Sequence, residues 1–390
     1  MTIPETYKGR EQAYIKHQIL EAYLERLFMI LGQKLPTINY VDCFAGPWSD
    51  ESDELAGTSI AISLRIMKRC QVALKERFNR SVKFRALYIE KSPAAHARLS
   101  EYLEQPQFDS VETEHLLGQF EENLSQIIDW TNHKFTYFFV DPKGWKEISA
   151  TTLSTLLQHP HCELFINFMY EFLNRAVTQT AFEDHMVEMF GIAPDVSKLD
   201  PEERQECLLR TYRDNLKSHH QAEKSWTAYT PVYRPGTQKI LYHLIYLTSS
   251  PRGMQVFVEE SEKLELVKHE VYVKASVNRK EERSGTADLF ASDAVTPVTA
   301  SKESTTNYRA RSLWLSRLSS KVQFFGLEVL ADMLDESDLF ITDIQEAFRD
   351  LVADGLVENL SGNINRRTKN VVKFDATRGK GEQLRKISDI

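Results

Sequence analysis

Short apolar runs alternate with helical stretches between residues 38 and 248, and this alternation limits the possible folds more than any other feature of the chain. Most runs are apolar at consecutive positions, as in parallel strands that helices cover on both faces. Between them, apolar residues recur every three or four positions at 57–79 and 94–105, which predicts helices. The pattern predicts an α/β fold with a doubly wound sheet. The strand-like runs are INYVDCFAG (38–46), VKFRALYIE (82–90), SVETEHLL (110–117), TYFFVDP (136–142) and CELFINFMY (162–170).

Two further apolar runs, at 227–234 and 239–248, are separated only by PGTQ at 235–238. So short a connection joins antiparallel strands, because a parallel pair needs a crossover of a dozen or more residues. A helix predicted at 9–34 precedes the first strand and ends before Pro36. Five βα units followed by a hairpin resemble the Rossmann-like, seven-stranded sheet of class I methyltransferases, and we expect that sheet here.

The composition changes after residue 279. Residues 280–307 are rich in serine, threonine, alanine and charged residues, and they contain few large apolar side chains, which is typical of a linker. A chain of 390 residues also exceeds what one hydrophobic core usually holds. We therefore predict a methyltransferase-like domain at 1–275, a flexible linker at 276–308 and a second domain at 309–390.

The second domain has the pattern of three helices followed by two strands. Its third helix, ITDIQEAFRDLVADG, has Thr342 as the predicted N-cap. The runs 356–360 and 370–374 are strand-like and flank the polar loop 361–369. Three helices followed by a β-wing predict a winged helix-turn-helix.

The two halves of this domain carry opposite net charge. Residues 326–360 carry ten acids and one base, whereas residues 361–390 carry eight bases and three acids. The wing residues Arg366, Arg367 and Lys369 are predicted to bind a nucleic-acid backbone. A helix that reads the major groove should carry basic or amide side chains, so the acidic third helix favours a protein partner at least as well.

Several classes of protein are disfavoured. No run approaches the roughly 18 apolar residues of a membrane helix, and the opening MTIPETYKGREQ lacks a signal pattern, so we expect a cytoplasmic protein with no membrane partner. The four cysteines lie far apart and form no CxxC pair, and the pairs His159/His161 and His219/His220 are typical of ordinary loop histidines. We therefore predict no metal site.

The turn after the first strand is a candidate ligand site, because ligands of doubly wound sheets bind at the carboxyl ends of the strands. Asp42, Phe44 and Gly46 lie there, and Gly46 lets the backbone approach a ligand closely. A dinucleotide site requires G-x-G-x-x-G around a pyrophosphate, but this loop has one glycine before Pro47 and Trp48. The turn therefore favours an adenosyl ligand without phosphates.

Two residues at the neighbouring strand ends extend this site. Glu90 ends the second strand, where a carboxylate can accept hydrogen bonds from both ribose hydroxyls. Gln119, after the third strand, lies where related enzymes contact the adenine amino group. His17 in the first helix and Asn167 at the end of the fifth strand are further candidates for the pocket.

The fourth strand ends in Asp141-Pro142-Lys143-Gly144-Trp145, which resembles in part the Asp-Pro-Pro-Tyr signature of amino-methyltransferases. That resemblance implies that Asp141 and the Pro142 carbonyl accept protons from a target amine, and that Trp145 stacks on a flipped base. Asp141 also belongs to the predicted cofactor site. The aromatic residue comes one position later than in the signature.

Together, YVDCFAGP, GTS (57–59), YIEK, FFVDPKGW, FINF, LNR (173–175) and LIYLTSSPRGMQ (244–255) resemble the three-Cys-motif partner (TcmP) family. KHQIL at 16–20 also matches, so the resemblance extends over roughly 10–265. It implies an S-adenosyl-L-methionine-dependent transferase that works with a separate three-Cys-motif protein and methylates an amino group of nucleic acid or of that partner. Where the family commonly has Asp-Pro-Phe-Gly, this chain has Lys143.

Two other functions remain open. The chain is either a methyltransferase, a non-catalytic adaptor that retains the fold, or a ligand-sensing winged-helix regulator that binds DNA. The shortened loop and the irregular Asp-Pro-Lys-Gly motif favour the adaptor. The acidic third helix disfavours the regulator.

Overall fold

The computed structural model describes residues 4, 7, 9–46, 57–234, 237, 239–284 and 299–387. The chain divides into two compact units. Unit 1 comprises Met1–Ser249 and Leu264–Arg279, and unit 2 comprises Ser250–Lys263 and Lys280–Ile390.

Unit 1 is built on a seven-stranded sheet of order β3-β2-β1-β4-β5-β7-β6. The first five strands are parallel, and β7 pairs antiparallel with both β5 and β6. The seven-stranded sheet predicted from the sequence is therefore confirmed, and its order reverses between β1 and β4. The strands are β1 (Thr37–Asp42), β2 (Lys83–Glu90), β3 (Glu112–Leu117), β4 (Thr136–Val140), β5 (Cys162–Phe168), β6 (Trp226–Tyr233) and β7 (Ile240–Thr248).

Helices cover both faces of the sheet, which explains why strands β4 and β5 are buried along their whole length. Two of these helices begin at N-capping residues. The Thr58 hydroxyl accepts a hydrogen bond from the Ala61 amide at the start of α2, and Asp200 and Glu203 form a capping box at the start of α8. They are α1 (Glu11–Leu31), α2 (Ser59–Phe78), α3 (Pro93–Leu103), α4 (Leu124–Thr131), α5 (Ala150–Leu157), α6 (Tyr170–Ala176), α7 (Glu183–Phe190), α8 (Pro201–His219) and α9 (Pro251–Ser284), whose residues belong to both units.

A polar group lies inside the core between α1, β5 and β7. The Glu163 side chain accepts a hydrogen bond from the Tyr23 hydroxyl at 2.8 Å and another from the Thr248 hydroxyl at 3.0 Å. The Tyr23 and Tyr246 hydroxyls also contact each other. Burial raises the pKa of Glu163 to about 6, although its hydroxyl donors lower it. The first helix is thus attached to the antiparallel end of the sheet through a buried carboxyl group.

Unit 2 contains three helices and a three-stranded antiparallel sheet of order β8-β10-β9. Its core surrounds Trp314, whose ring packs on Phe325, Phe348 and Phe374 and whose Nε1 donates to the Ile344 carbonyl at 2.8 Å. The elements are α10 (Thr299–Arg317), β8 (Gln323–Phe325), α11 (Leu327–Ser337), α12 (Ile341–Ala353), β9 (Val357–Asn359) and β10 (Glu382–Lys386).

Two predictions within unit 2 are wrong. Thr342 does not cap α12: the Asp343 carboxylate accepts the Phe340 amide hydrogen at 2.9 Å instead, because it lies at the third helical position and reaches back. Residues 370–374 do not form a strand, since Val371, Val372 and Phe374 turn into the core. Strand β10, which lacks an apolar run, pairs with β8 and β9 instead.

Parts of the sequence predictions lie outside the described residues. These are the loop 47–56, the hairpin turn 235–238 apart from Thr237, and the middle of the linker at 285–298. From either side, α9 and α10 extend further into the span 276–308 than its composition predicts. Among the helices described, none is both long and apolar enough to cross a membrane.

We expect Glu163→Gln to change how stability depends on pH. The pKa of Glu163 in the folded chain is about 6, above its usual 4.5, so its stabilising contribution is complete below pH 4.5 and is lost as the pH rises through 6. Relative to the wild type, the glutamine variant should gain about 2 kcal/mol of unfolding free energy between pH 4.5 and 7. Urea unfolding across this range measures the difference.

The control is Glu223→Gln, which removes an exposed carboxylate from a surface turn. Its stability should follow the wild-type pH dependence. A Glu163 variant that also follows the wild type would contradict the raised pKa.

Candidate functional site

The carboxyl ends of β1 and β4 meet where the strand order of unit 1 reverses, which is where open α/β sheets bind ligands. Asp42 ends β1 and Asp141 follows β4. A cavity of about 350 Å³ lies here, within the size range of small-molecule sites. Its lining residues are Arg10, Gln12, Ala13, Lys16, His17, Phe44, Ala45, Gly46, Gly57, Thr58, Ser59, Asp141, Pro142, Lys143, Asn167, Met169, Leu241 and Tyr242.

Asp42 lies behind the cavity wall and holds the turn between β1 and α2. It is fully buried, and it accepts hydrogen bonds from the Ser59 hydroxyl at 2.6 Å and the Phe44 amide at 3.2 Å. Burial raises the pKa of Asp42 to about 7, although both hydrogen bonds lower it. Its two acceptor bonds position Phe44 and Ser59, which do line the cavity.

Asp141 is held by two side chains from other elements. The Asn167 amide nitrogen on β5 donates to Oδ1 at 2.6 Å, and the Lys16 ammonium on α1 forms an ion pair with Oδ2. The side chains of Lys16 and Asp141 are 12% and 19% exposed, so water weakens this pair less than a surface ion pair. Both carboxylate oxygens of the predicted catalytic residue are therefore engaged.

Asn167 has one unsatisfied atom. Its Oδ1 is buried and has no hydrogen-bond partner in the described part of the chain. Asp141 fixes the orientation of the amide, because only the Nδ2 hydrogens can bond to a carboxylate. A buried acceptor without a partner costs about 1–3 kcal/mol, and it lies on a residue of the cavity wall.

His17, one residue after Lys16, forms another part of the wall. Its Nδ1 is hydrogen-bonded to the Tyr7 hydroxyl at 2.9 Å. Burial lowers the pKa of His17 well below its usual value, and the positive charges of Lys16 and Arg10 lower it further. The imidazole is neutral at neutral pH.

Glu90, predicted to accept hydrogen bonds from the ribose hydroxyls, is not among the residues that line the cavity. It is 6% exposed, and its Oε1 accepts the Ser92 amide hydrogen at 2.6 Å. A Cβ added at Gly46 would lie 1.6 Å from Glu90 Oε2, so the Gly46 backbone covers the carboxylate. A side chain at position 46 would therefore have to displace the Glu90 carboxylate.

Gln119 and Trp145 also lie away from the cavity. The Gln119 side chain is exposed and donates to Glu122 Oε1 at 3.1 Å. The Trp145 ring packs edge-on against Phe182 and His185, with centroid distances of 5.7 and 5.9 Å. Of the predicted site residues, the wall contains Phe44, Gly46, Asp141 and Pro142, together with the further candidates His17 and Asn167.

The sequence did not single out Lys16. It belongs to the KHQIL motif of the first helix, but 125 residues separate it from Asp141. No spacing pattern connects the two, and only the packing of α1 against the sheet brings them together. Within the described residues, no group of three or more His, Cys, Asp or Glu side chains is arranged to hold a metal ion.

In unit 2, the three basic residues predicted to bind nucleic acid differ in their exposure and in their contacts. Arg366 and Lys369 are exposed. The Arg367 guanidinium forms a two-pronged ion pair with Glu382, at 2.8 Å to Oε1 and 2.6 Å to Oε2, and also donates to the Val371 carbonyl. Because Glu382 is only 4% exposed, Arg367 anchors the loop to β10, whereas the sequence predicts that it binds a nucleic-acid backbone.

The acidic helices of unit 2 are partly neutralised. On α10, Arg311 forms an ion pair with Asp354 at 2.6 Å, and Arg317 forms one with Glu336. The excess of acids counted along residues 326–360 therefore overstates the negative charge of this surface.

Comparisons with known proteins add little at the level of sequence. No protein-family model matches the chain, and no curated protein matches it either. One solved structure that it resembles is the O-methyltransferase TomG from Streptomyces achromogenes, involved in tomaymycin synthesis and determined in complex with SAM, with 14% identity over 64% of this chain and 92% of that one and a TM-score of 0.34. Similarity this low says nothing about chemistry, and the resemblance to the three-Cys-motif partner family stays a prediction.

We expect Gly46→Ala to destabilise unit 1 by about 1–3 kcal/mol, since the added methyl group displaces the Glu90 carboxylate from its contact. The Glu90→Ala variant provides the control, because it removes the atoms that the methyl group meets. In that background the cost of Gly46→Ala should fall, which a double-mutant cycle of urea unfolding measures. An equal cost in both backgrounds would place the strain elsewhere.

Arg367→Ala should destabilise unit 2 by about 3 kcal/mol, because it leaves the Glu382 carboxylate buried without its cation. The matched control is Arg366→Ala combined with Lys369→Ala, which removes two exposed charges and should change stability by no more than about 0.5 kcal/mol. Chemical denaturation distinguishes them. A larger loss of stability in the double variant than in Arg367→Ala would contradict the role given to Arg367.

Proposed function

We propose that the chain is an S-adenosyl-L-methionine-dependent methyltransferase whose switch-point cavity binds the amino-acid end of the cofactor. One observation carries the proposal: a cation, a carboxylate and an unsatisfied amide oxygen lie together on the cavity wall, as Lys16, Asp141 and Asn167. When bound, the cofactor supplies a methyl group on a positively charged sulfur.

Asn167 and Lys16 suit the two charged groups of an α-amino acid. Asn167 Oδ1 accepts a hydrogen bond from the ammonium group, which satisfies the buried atom that lacks a partner. The Lys16 ammonium pairs with the α-carboxylate. Gly46 allows the backbone of the turn to approach, and a loop with one glycine suits a ligand without a pyrophosphate.

The contacts proposed above concern the amino-acid end of the cofactor and not its ribose or adenine. Glu90 and Gln119, predicted to hold ribose and adenine, lie outside the cavity, and Gly46 covers the Glu90 carboxylate. Their roles stay predictions, and the proposal does not depend on them.

Lys16 also links the binding of the cofactor to that of the methyl acceptor. A carboxylate that pairs with Lys16 competes with Asp141 for the ammonium, which leaves Asp141 Oδ2 as an acceptor for a hydrogen of the target amine. The bound cofactor would supply the methyl group, and Asp141 would accept the proton that the target amine loses on methylation. Pro142 lies beside it on the wall.

A non-catalytic adaptor is the second candidate. It is favoured by the engagement of both Asp141 oxygens and by the packing of Trp145 away from the cavity. In this role the fold would serve to bind a three-Cys-motif protein, which we also propose as the partner of an active enzyme.

We propose further that unit 2 is a winged helix. Its order of helix, strand, two helices and two strands supports this, as does the central position of β10 in the sheet. Exposed Arg366 and Lys369 are the candidates for phosphate contacts, and Arg367 is not. Since α12 exposes Glu346 and Asp350, a protein partner suits this unit better than the major groove.

The test of the proposed function compares two ligands by isothermal titration calorimetry. S-adenosylhomocysteine has the amino-acid end and 5′-methylthioadenosine lacks it. The wild type should bind the first more tightly, and Lys16→Met should weaken that binding about tenfold while leaving the second unchanged. Lys34→Met, at an exposed position after α1, is the control.

Two outcomes contradict the proposal. Equal wild-type affinity for both ligands would show that the amino-acid end is not held. The absence of binding to either ligand at millimolar concentration would exclude the cofactor altogether.

A further inference from the structure

His17 is a polar residue of the cavity wall to which the proposed function gives no role. It is 6% exposed, and its Nδ1 is hydrogen-bonded to the Tyr7 hydroxyl at 2.9 Å. Its other ring nitrogen, Nε2, has no hydrogen bond to a described residue, although it is not among the atoms that the protein encloses. A ligand in the cavity can therefore reach one nitrogen of a ring that is otherwise buried.

Tyr7 holds the imidazole of His17 in place and is itself fixed. Its ring packs edge-on against His17 and Tyr14, with centroid distances of 5.7 and 5.2 Å. Its carbonyl accepts the Arg10 amide hydrogen at 2.8 Å, in the turn that leads into α1. Burial raises the pKa of Tyr7 to about 12, so its hydroxyl keeps its proton at neutral pH.

The hydrogen of this hydroxyl determines which nitrogen of His17 is protonated. Among the described residues, His17 Nδ1 is the one hydrogen-bond partner of the Tyr7 hydroxyl. A buried hydroxyl needs an acceptor for its hydrogen, so the phenol donates and Nδ1 accepts. Burial and the cations Lys16 and Arg10 lower the pKa of His17, so the ring is neutral and has a single N–H group. That hydrogen is therefore on Nε2.

The cofactor contacts proposed above leave a matching acceptor. An α-carboxylate has two oxygens and accepts several hydrogen bonds, but Lys16 is the one donor assigned to it, and Lys16 is also paired with Asp141. Lys16 and His17 are consecutive residues of α1, and both line the cavity. A donor without an acceptor thus lies beside the residue that is proposed to bind this carboxylate.

We propose that His17 Nε2–H donates a hydrogen bond to the α-carboxylate of S-adenosyl-L-methionine, beside the ammonium of Lys16. This deepens the proposed function and rests on it. His17 is then a positioning residue for the cofactor, and Tyr7 acts through His17 by keeping the hydrogen on Nε2. A neutral imidazole supplies a charge-assisted hydrogen bond without placing a further positive charge next to the α-ammonium group of the ligand.

Two ligands that differ only in the carboxylate test this contact. S-adenosylhomocysteine has the carboxylate, and S-adenosyl-3-thiopropylamine lacks it but retains the ammonium group. Isothermal titration calorimetry of the full chain measures both affinities. His17→Phe should weaken the binding of S-adenosylhomocysteine about tenfold, which is the loss expected for a charge-assisted hydrogen bond, and should leave the binding of the thiopropylamine unchanged.

Three further variants separate the hydrogen bond from the packing of the ring. His17→Gln provides an amide donor in place of Nε2–H and should restore part of the preference for the carboxylate. Tyr7→Phe retains the aromatic ring but lets the His17 hydrogen occupy either nitrogen, so it should reduce the preference less than His17→Phe. His161→Phe, at an exposed position outside the cavity wall, is the control and should bind both ligands as the wild type does.

Nitrogen NMR spectroscopy of the ligand-free wild type tests the tautomer without a variant whose folding is in question. Long-range proton–nitrogen correlations distinguish a protonated ring nitrogen from an unprotonated one, and the spectrum of His17→Gln identifies the signals of His17. The hydrogen should be on Nε2 in the wild type and should exchange between both nitrogens in Tyr7→Phe. A wild-type ring with its hydrogen on Nδ1 would overturn the proposal.

The binding data distinguish failure of this contact from failure of the proposed function. If the wild type binds neither ligand at millimolar concentration, both proposals fail. If Lys16→Met removes the preference for the carboxylate but His17→Phe does not, the cofactor proposal stands and the His17 contact is excluded. Equal losses of affinity for the two ligands in His17→Phe would show that His17 has a structural role only, and would also overturn the proposal.

Discussion

The ion pair between Lys16 and Asp141 is the interaction on which the candidate site depends. It joins α1 to the end of β4, and the hydrogen bond from Asn167 continues the connection to β5. Three elements that are distant in sequence are thereby fixed around one carboxylate. The orientation of the Asn167 amide, and with it the unsatisfied oxygen in the wall, follows from this arrangement.

The sheet could be predicted because the residues that specify each strand are adjacent in the sequence. Strands that are buried on both faces must be apolar at consecutive positions, and the short hairpin connection fixes the antiparallel end. The site could be predicted only in part. Asp42 and Asp141 follow from their places at strand ends, whereas the partnership of Lys16 and the cover that Gly46 forms over Glu90 depend on packing between distant segments.

In unit 2, residues of a type that predicts a strand or a charged surface take other roles in the structure. The run 370–374 has the residues of a strand, but its apolar side chains are used in the core around Trp314. A count of charges treats each arginine as available, yet Arg367 is bound to a buried carboxylate and α10 supplies cations to the acidic helices. Tertiary contacts, which no window of sequence contains, decide both cases.

The raised pKa of Asp42 has a consequence for calorimetry. With a pKa of about 7, the turn between β1 and α2 holds a proton in roughly half of the molecules at neutral pH. A positively charged ligand that settles beside this turn favours the ionised carboxylate, so binding expels protons into the medium. The apparent heat then includes the protonation of the buffer, and it differs between buffers such as phosphate and Tris even when the affinity does not.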